Sequence, residues 1–271
     1  MQLIINADDL GYSPHRDAAI FELFRMGKIT SASLIVNGPT AATASERARL
    51  VKLPIGLHLN LTEGEPLTTG LAGADGKLAY KMEFRRLAHC ATKAFMEAVD
   101  EEVVAQLERF KALTGAYPTH VDGHQHVHIL PNMPTRMAPI FEMYRVQSIR
   151  IPEEDVDDYE WISAERKKHY NIRYLDAVAA RMVYMKHRFK LNDSFVGFAL
   201  SGVNMTAMRL EQCLGQVAGL TEMLVHPGFL PETENVSAFC DTFDADPGRR
   251  VEFDCLSSFA FPQKVVSWSV F

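Results

Sequence analysis

Four of the ten histidines in this chain of 271 residues fall within nine consecutive positions, inside the segment THVDGHQHVHILP at residues 119–131. The alternation of His124, His126 and His128 can place imidazole rings on one side of an extended chain. Imidazole is a common ligand for zinc-like ions, so this crowding predicts a metal or catalytic site. The alternative is a turn whose histidines hydrogen-bond one another. If a metal binds here, only some of these rings can be direct ligands, and the others would support the ligands or face a substrate.

Asp8 and Asp9 are adjacent and directly follow a short apolar run. Two neighbouring carboxylates repel each other, and a nearby cation relieves that repulsion. The pair therefore fits a site in which one carboxylate binds a metal and the other acts as a base. A helix cap or a turn is the structural alternative for two aspartates after a strand.

Two more histidines stand near predicted strand ends. His58 lies in PIGLHLNLTEGEP, where a lone histidine would usually be a hydrogen-bonded core residue. The proximity of Asp8 and Asp9 would make it a ligand candidate instead. His226 precedes a Pro-Gly turn, which would aim its ring into a pocket as an acid.

The elements that would position these residues are short apolar runs that alternate with helical patterns. The predicted strands lie at residues 3–5, 33–36, 54–61, 118–122, 147–151, 195–198, 221–226 and 265–271. This alternation favours either an open doubly wound sheet or a (β/α) barrel, in which chemistry collects at the carboxyl ends of the strands. Asp8, His58, His124 and His226 all lie at or after such ends, so a parallel fold would bring them together.

Two other regions are candidates for pocket walls. The segment at residues 62–88 is long and rich in glycine, and loops of that length inside a compact domain are usually functional. Asp193 and Phe195, beside the predicted strand at residues 195–198, are candidates for lining the same pocket.

Composition limits the class of protein. The net charge is −6 and no block of Lys or Arg stands out, which argues against nucleic acid or an anionic membrane as a partner. No stretch approaches the roughly 18 apolar residues of a membrane span. The apolar run near the N-terminus is too short for a signal peptide, and the four cysteines form no CxxC. We therefore expect a cytoplasmic protein with reduced thiols and a single catalytic domain over residues 1–271.

Five segments, in order along the chain, together carry a family resemblance. They are NADDLGYS, TSASLIVNG, GLHLNLTEGEPL, THVDGHQHVHILP and HPGF. The chain resembles the YdjC-like carbohydrate deacetylases, which include bacterial chitooligosaccharide deacetylases and animal homologues. The first and fourth segments are most similar to the animal-type branch.

The resemblance implies a deformed (β/α) barrel with about seven parallel strands and hydrolysis of the N-acetyl group of an acetylated sugar. Asp8 would correspond to the catalytic base. Asp9, His58 and His124 would be the ligands of a divalent metal, and His226 would be the proposed acid. A metal held there would polarise the acetyl carbonyl and make water more acidic.

The family points to Mg²⁺, whereas two imidazoles and a carboxylate also suit Zn²⁺. The expected partner is an acetylated carbohydrate, and a homodimer is one option for the assembly. Residues expected to contact the substrate are Asn60, His126, His128, Asp193 and Phe195. Two alternatives stay open: a metal-dependent phosphoesterase, although no Walker-type loop occurs, and an inactive sugar-binding protein.

Overall fold

A parallel sheet that curls into an open half-barrel organises the chain; the computed structural model describes residues 1–230, 245–261 and 264–268. Its strands are β1 (Gln2–Leu10), β2 (Ser31–Leu34), β3 (Ile55–Leu59), β4 (His120–Gly123), β5 (Ser148–Ile149), β6 (Lys190–Leu191), β7 (Ser194–Val196), β8 (Leu220–Val225) and β9 (Lys264–Val265). Their order is β6-β5-β4-β3-β2-β1-β8-β7, with β9 beside β1. Because every pairing is parallel, all the carboxyl ends face the same rim.

Strand β1 lies in the interior of the sheet, between β2 and β8, and is apolar on both faces. Leu3, Ile4 and Ile5 are at most 1% exposed, as expected for a parallel strand covered on both sides. Its register with β8 runs from Gln2 opposite Leu220 to Ala7 opposite Val225. The residues that follow these two strands therefore lie side by side at the rim.

Helices cover the outside of the sheet. They are α1 (Pro14–Arg25), α2 (Ala41–Val51), α3 (Lys81–Cys90), α4 (Lys93–Thr114), α5 (Met133–Met143), α6 (Ala164–Lys186), α7 (Ala207–Gly215) and α8 (Gly248–Ser258). Helix α1 shows how the sequence sets a boundary: the Ser13 hydroxyl accepts the Arg16 N–H and Pro14 occupies the first turn. Within the described residues, no helix combines the length and apolar character needed to cross a membrane.

A buried asparagine bridges the open edge of the half-barrel. Strands β6 and β7 are the two edge strands, and the chain passes between them through Asn192. The Asn192 side chain accepts the Ile151 N–H and donates to the Ile151 carbonyl, both at 2.8 Å, and it also donates to the Ser194 carbonyl. The Asn192 side chain thus satisfies backbone N–H and carbonyl groups that a neighbouring strand would pair in a continuous sheet.

The predicted deformed (β/α) barrel is confirmed, with eight strands along the described sheet path rather than about seven. Strand β6 has only two residues, too few to give a periodic signal. The segment at residues 62–88, predicted as a loop, contains most of α3, and α8 was not predicted. The predicted strand at residues 265–271 is the short β9, and residues 269–271 lie outside the described part of the chain.

Candidate metal and catalytic site

The predicted convergence at the strand ends occurs. Asp8 and Asp9 lie near the carboxyl end of β1, His58 in β3, and His124 directly after β4. With His226, they line one cavity of about 350 Å³, a size typical of small-molecule sites at roughly 300–1,000 Å³.

Three of these residues form a compact donor set. Asp9 Oδ1 lies 3.2 Å from His58 Nε2 and 2.9 Å from His124 Nδ1. All three side chains are buried, and one donor atom from each lies within 4.8 Å of the others. Two imidazoles and a carboxylate at this spacing fit a divalent metal with positions left open on the cavity side.

A carboxylate lies behind each of the two imidazoles. His58 Nδ1–H donates to Asp122 Oδ1 at 2.6 Å, and His124 Nε2 lies 2.5 Å from Glu63 Oε2. Metal-binding histidines in proteins usually have such a partner on the far nitrogen, because it fixes the ring and its tautomer. This arrangement leaves His58 Nε2 and His124 Nδ1 directed at Asp9, as a metal site requires.

Asp8 is held by an arginine instead. Arg150 Nη1 and Nη2 each donate to one oxygen of Asp8 at 2.6 Å, and Arg150 Nη2 also lies 2.8 Å from both Asp122 and Glu222. Asp8, His58 and Asp122 form a second group with metal-like spacing. In that group the guanidinium already supplies the positive charge, so the Asp9 set is the better metal candidate.

The backbone of the site is strained at three positions. Asp9, Gln125 and His126 adopt left-handed conformations, with φ of 66°, 52° and 62°. Such conformations cost free energy for non-glycine residues and tend to occur at functional sites. Gly123 is required before this turn, because a Cβ there would lie 2.6 Å from the His128 ring.

The electrostatics favour a cation among these groups. Burial opposes the charge of Asp9, but His124 and Arg16 outweigh it and hold the pKa of Asp9 well below its usual value. Burial likewise opposes protonation of His58, yet Asp122 and Asp8 raise its pKa to about 10. Asp9 raises the pKa of His124 in the same way. The pocket therefore stabilises positive charge at the point where the donor atoms converge.

His226 lies on the other side of Asp9. Its Nε2 is 3.9 Å from Asp9 Oδ2 and its side chain is 18% exposed, towards the cavity. Burial lowers the pKa of His226 to about 4, so the ring is neutral near pH 7. Glu252 of α8 anchors the backbone here, because its carboxylate accepts the His226 N–H at 2.6 Å and the Gly202 N–H at 2.7 Å.

Of the five residues expected to contact a substrate, His126 lines the cavity. Asn60 does not: it is fully buried, accepts the N–H groups of Thr62 and Glu63, and donates to the Glu63 carbonyl. It therefore shapes the turn that presents Glu63 to His124. His128 is also fully buried, with Nε2–H donating to the Arg150 carbonyl at 2.9 Å.

Asp193 and Phe195 also lie outside the described lining of the cavity. Asp193 Oδ2 accepts the Leu220 N–H at 2.7 Å, which places it beside the start of β8, at the opposite end of the strand from His226. Phe195 is 2% exposed and its ring packs 5.3 Å from that of Phe198. Since β7 begins at Ser194, both residues precede the carboxyl end of that strand.

Four side chains central to the site were not predicted. Arg150 is the next-to-last residue of the predicted strand at residues 147–151 and directly follows the observed β5, so the strand-end rule applied to the other residues would have found it. Asp122 lies between His120 and His124 in the histidine cluster, and Glu63 lies within GLHLNLTEGEPL, five residues after His58. Glu252 gave no sequence signal, because it acts from a distant helix through backbone hydrogen bonds.

Comparison with known proteins adds independent findings. Residues 2–266 match the family model described as YdjC-like protein. A human protein named carbohydrate deacetylase is 37% identical over 275 residues, covering 95% of this chain and 85% of that protein. A chitooligosaccharide deacetylase of Yersinia pestis (strain Pestoides F) is 29% identical, covering 88% and 86%.

A solved structure shares the fold. It is a protein of Enterococcus faecalis V583, provisionally named for cellobiose-phosphate cleavage, with a TM-score of 0.72 and 23% identity. The match covers 99% of this chain and 98% of the other. The half-barrel is therefore an architecture already seen in a crystal structure.

Proposed function

The chain belongs to the YdjC-like protein family, and we propose that it is a metal-dependent carbohydrate deacetylase. It removes the acetyl group from N-acetylated sugars or oligosaccharides and releases acetate and a free amine. The observation that carries this proposal is the set of Asp9, His58 and His124 beside Asp8, in one cavity. The human and Yersinia relatives named as deacetylases support the same reaction.

Asp9, His58 and His124 would hold the metal. When bound, the ion would polarise the acetyl carbonyl and increase the acidity of water. We propose Mg²⁺, by the family resemblance, with Zn²⁺ as the alternative that the two imidazoles favour. Asp122 and Glu63 hold the two rings in place from behind.

Asp8 is the proposed base that takes a proton from the attacking water. Arg150 grips both of its oxygens, so the carboxylate keeps one orientation, with Oδ2 3.9 Å from His58 Nε2. A base fixed in this way needs no reorganisation before it accepts the proton.

His226 is the proposed acid. The departing amine needs a proton before the C–N bond breaks productively, and His226 lines the same cavity as Asp8. Since the ring is neutral at rest, it would first accept the proton that Asp8 took from the attacking water and then donate that proton to the departing nitrogen. Glu252 fixes the backbone from which the ring projects.

The sugar would lie against the segment at residues 62–88 and His126. Glu63, Tyr80 and Lys81 from that segment line the cavity, and Tyr80 is 75% exposed. An exposed aromatic ring at a pocket wall offers a flat apolar surface for one face of a sugar.

We further propose that residues 1–271 act as one catalytic domain in the cytoplasm, with a homodimer as the assembly. The single domain is supported by the cavity itself, which draws residues from Asp8 to His226. Size-exclusion chromatography with light scattering would test the dimer, and a mass of one chain would contradict it.

The decisive experiment incubates the metal-loaded protein with a panel of N-acetylated mono- and oligosaccharides and measures free acetate. Acetate release that stops after chelation and resumes with added metal supports the proposal. His124→Ala should lose both metal binding and activity. Release of phosphate from phosphorylated sugars without acetate would indicate a phosphoesterase, and sugar binding without any product would indicate an inactive binder.

A further inference from the structure

One face of helix α6 exposes a row of apolar side chains. Between residues 172 and 185, every exposed position of this helix carries an apolar residue: Ile172, Leu175, Val178, Ala179, Met182 and Met185. Leu175 and Met182 are 66% and 67% exposed. Spacings of three and four residues place these side chains on one side of the helix. They form a single stripe, the α6 stripe, that is about 20 Å long at 1.5 Å per residue.

The opposite side of α6 already packs against the protein, through the buried residues Tyr170, Ala177, Ala180 and Tyr184. Two charged residues in the same turns are engaged beside the stripe: Asp176 pairs with Arg85, and Arg181 pairs with Glu153. The α6 stripe is therefore apolar surface that neither the fold nor these ion pairs cover.

Helix α4 has almost the same length as α6 but presents a different outer face. Its exposed positions carry six charged residues and two alanines: Lys93, Ala94, Glu97, Glu101, Glu108, Arg109, Lys111 and Ala112. Charged residues on the outer face are usual for a helix that faces water. The contrast indicates that the outer face of α6 is not adapted to water in the same way.

The apolar area of the α6 stripe is close to what a dimer requires. Its large side chains, roughly half exposed, present on the order of 300–400 Å² of apolar surface, and patches of this size often mark interaction sites. A standard interface buries about 800 Å² on each partner, of which about 57% is apolar. The exposed Lys168 and Lys186, beyond the two ends of the stripe, would belong to the polar rim of such an interface.

A straight stripe on one helix is complementary to itself. In a two-fold symmetric dimer each copy offers the same surface, and an axis perpendicular to the helices makes them cross antiparallel. Ile172 would then lie near Met185 of the partner subunit. The small side chain of Ala179 lies near the middle of the stripe, where it lets the two helices approach to the usual distance of about 8–10 Å.

We propose that the α6 stripe is the interface between two copies of this chain, with the two α6 helices crossing antiparallel near Ala179. This inference rests on the homodimer of the proposed function and assigns its contact surface. It does not depend on the deacetylation reaction.

The first test places charge in the stripe. By size-exclusion chromatography with light scattering, the wild-type protein should have the mass of two chains. Leu175→Glu and Met182→Glu should each weaken the dimer about 100-fold or more, because each places an unpaired carboxylate in an apolar contact twice per dimer. The double variant should have the mass of one chain.

Two variants are matched controls for these substitutions. Leu50→Glu on α2 and Met208→Glu on α7 introduce the same charge at apolar residues that are 67% and 72% exposed, and both should keep the mass of two chains. Circular dichroism would check that all the variants fold, as expected for substitutions at exposed positions.

The second test locates the crossing point. In a Cys90→Ser background, which removes an exposed thiol, Ala179→Cys should be joined to its copy by a short bismaleimide. Lys168→Cys is the control, because it lies 11 residues along the helix from Ala179. That separation is about 16 Å, so its two copies would lie about 30 Å apart in an antiparallel pair. The Cys90→Ser parent measures the background from other thiols.

A wild-type mass of one chain, or a dimer that survives the double substitution, would overturn the interface. Equal weakening by the control variants, or cross-linking at residue 168 without cross-linking at residue 179, would overturn it as well. Acetate release decides the reaction separately. Acetate from a protein with the mass of one chain leaves the reaction standing without the interface, and a dimer through α6 that releases none leaves the interface standing without the reaction.

Discussion

The two ends of the cavity differ in how their charged side chains are paired. At the donor-set end, every carboxylate is held by a basic group of the protein: Asp8 by Arg150, Asp9 by Arg16 and His124, and Glu63 by His124. At the other end, Lys81 and Arg173 form no ion pair among the described residues: Arg173 lies over the rings of Tyr170 and Phe198, and the nearby Asp176 pairs with Arg85.

This difference in charge pairing indicates that one end of the cavity holds its side chains rigidly and the other is free to interact with a ligand. Paired charges fix side chains in one geometry, as chemistry requires of groups that must meet reacting atoms. Unpaired charges cost stability and are useful only when a ligand neutralises them. Substitutions at the first end should therefore damage catalysis or the fold, whereas those at the second end should leave the metal-binding and catalytic groups in place.

The largest effect is expected from Asp8→Asn. An amide cannot accept the proton from water, so turnover should fall about 100- to 10,000-fold, the usual contribution of a general base. Metal binding, measured by calorimetry, should be nearly unchanged because Asp9, His58 and His124 remain. A variant that releases acetate at the wild-type rate would remove Asp8 as the base.

Arg150→Met should strongly destabilise the fold. It would leave Asp8, Asp122 and Glu222 buried together without their cation, and burial already raises the pKa of Glu222 to about 7. Breaking a buried ion pair in this way typically costs about 3–5 kcal/mol, which urea unfolding would measure.

Arg136→Met is the control for Arg150. Arg136 pairs with Asp100 at the surface, with side chains 41% and 30% exposed, so its loss should cost about 0–1 kcal/mol. An equal loss in the free energy of unfolding from the two substitutions would show that the buried Arg150 cluster stabilises the fold no more than a surface ion pair does.

Glu63→Gln should weaken metal binding without abolishing it. The ring of His124 would lose the carboxylate behind Nε2, and such losses typically reduce metal affinity about 10- to 100-fold. Calorimetric titrations with Mg²⁺ and with Zn²⁺ would measure the change. Glu65→Gln, an exposed neighbour, should leave the affinity unchanged, and an equal effect of both would point to a general loss of negative charge.

The sequence identified the candidate metal-binding and catalytic residues more readily than the residues that line the rest of the cavity. Short apolar runs placed Asp9, His58, His124 and His226 at strand ends, and parallel strands bring such ends together whatever the loop lengths between them. Asp193 and Phe195 were proposed from their place beside a predicted strand and not at its carboxyl end, and the structure puts them away from the described cavity lining. The sequence also gave no hint that Asn60 and His128 point into the protein.

By itself, the sequence therefore determined the family, the barrel-like class and the set of candidate ligands and catalytic groups, since these depend on residue types at recognisable strand ends. Only the tertiary structure decided which groups are paired. Arg150 reaches Asp8 across 142 positions of chain, Glu63 reaches His124 across 61, and Lys81 and Arg173 meet from different helices. Pairing of charges depends on distances of a few ångströms, and those distances are fixed only when the sheet has curled and the helices have packed against it.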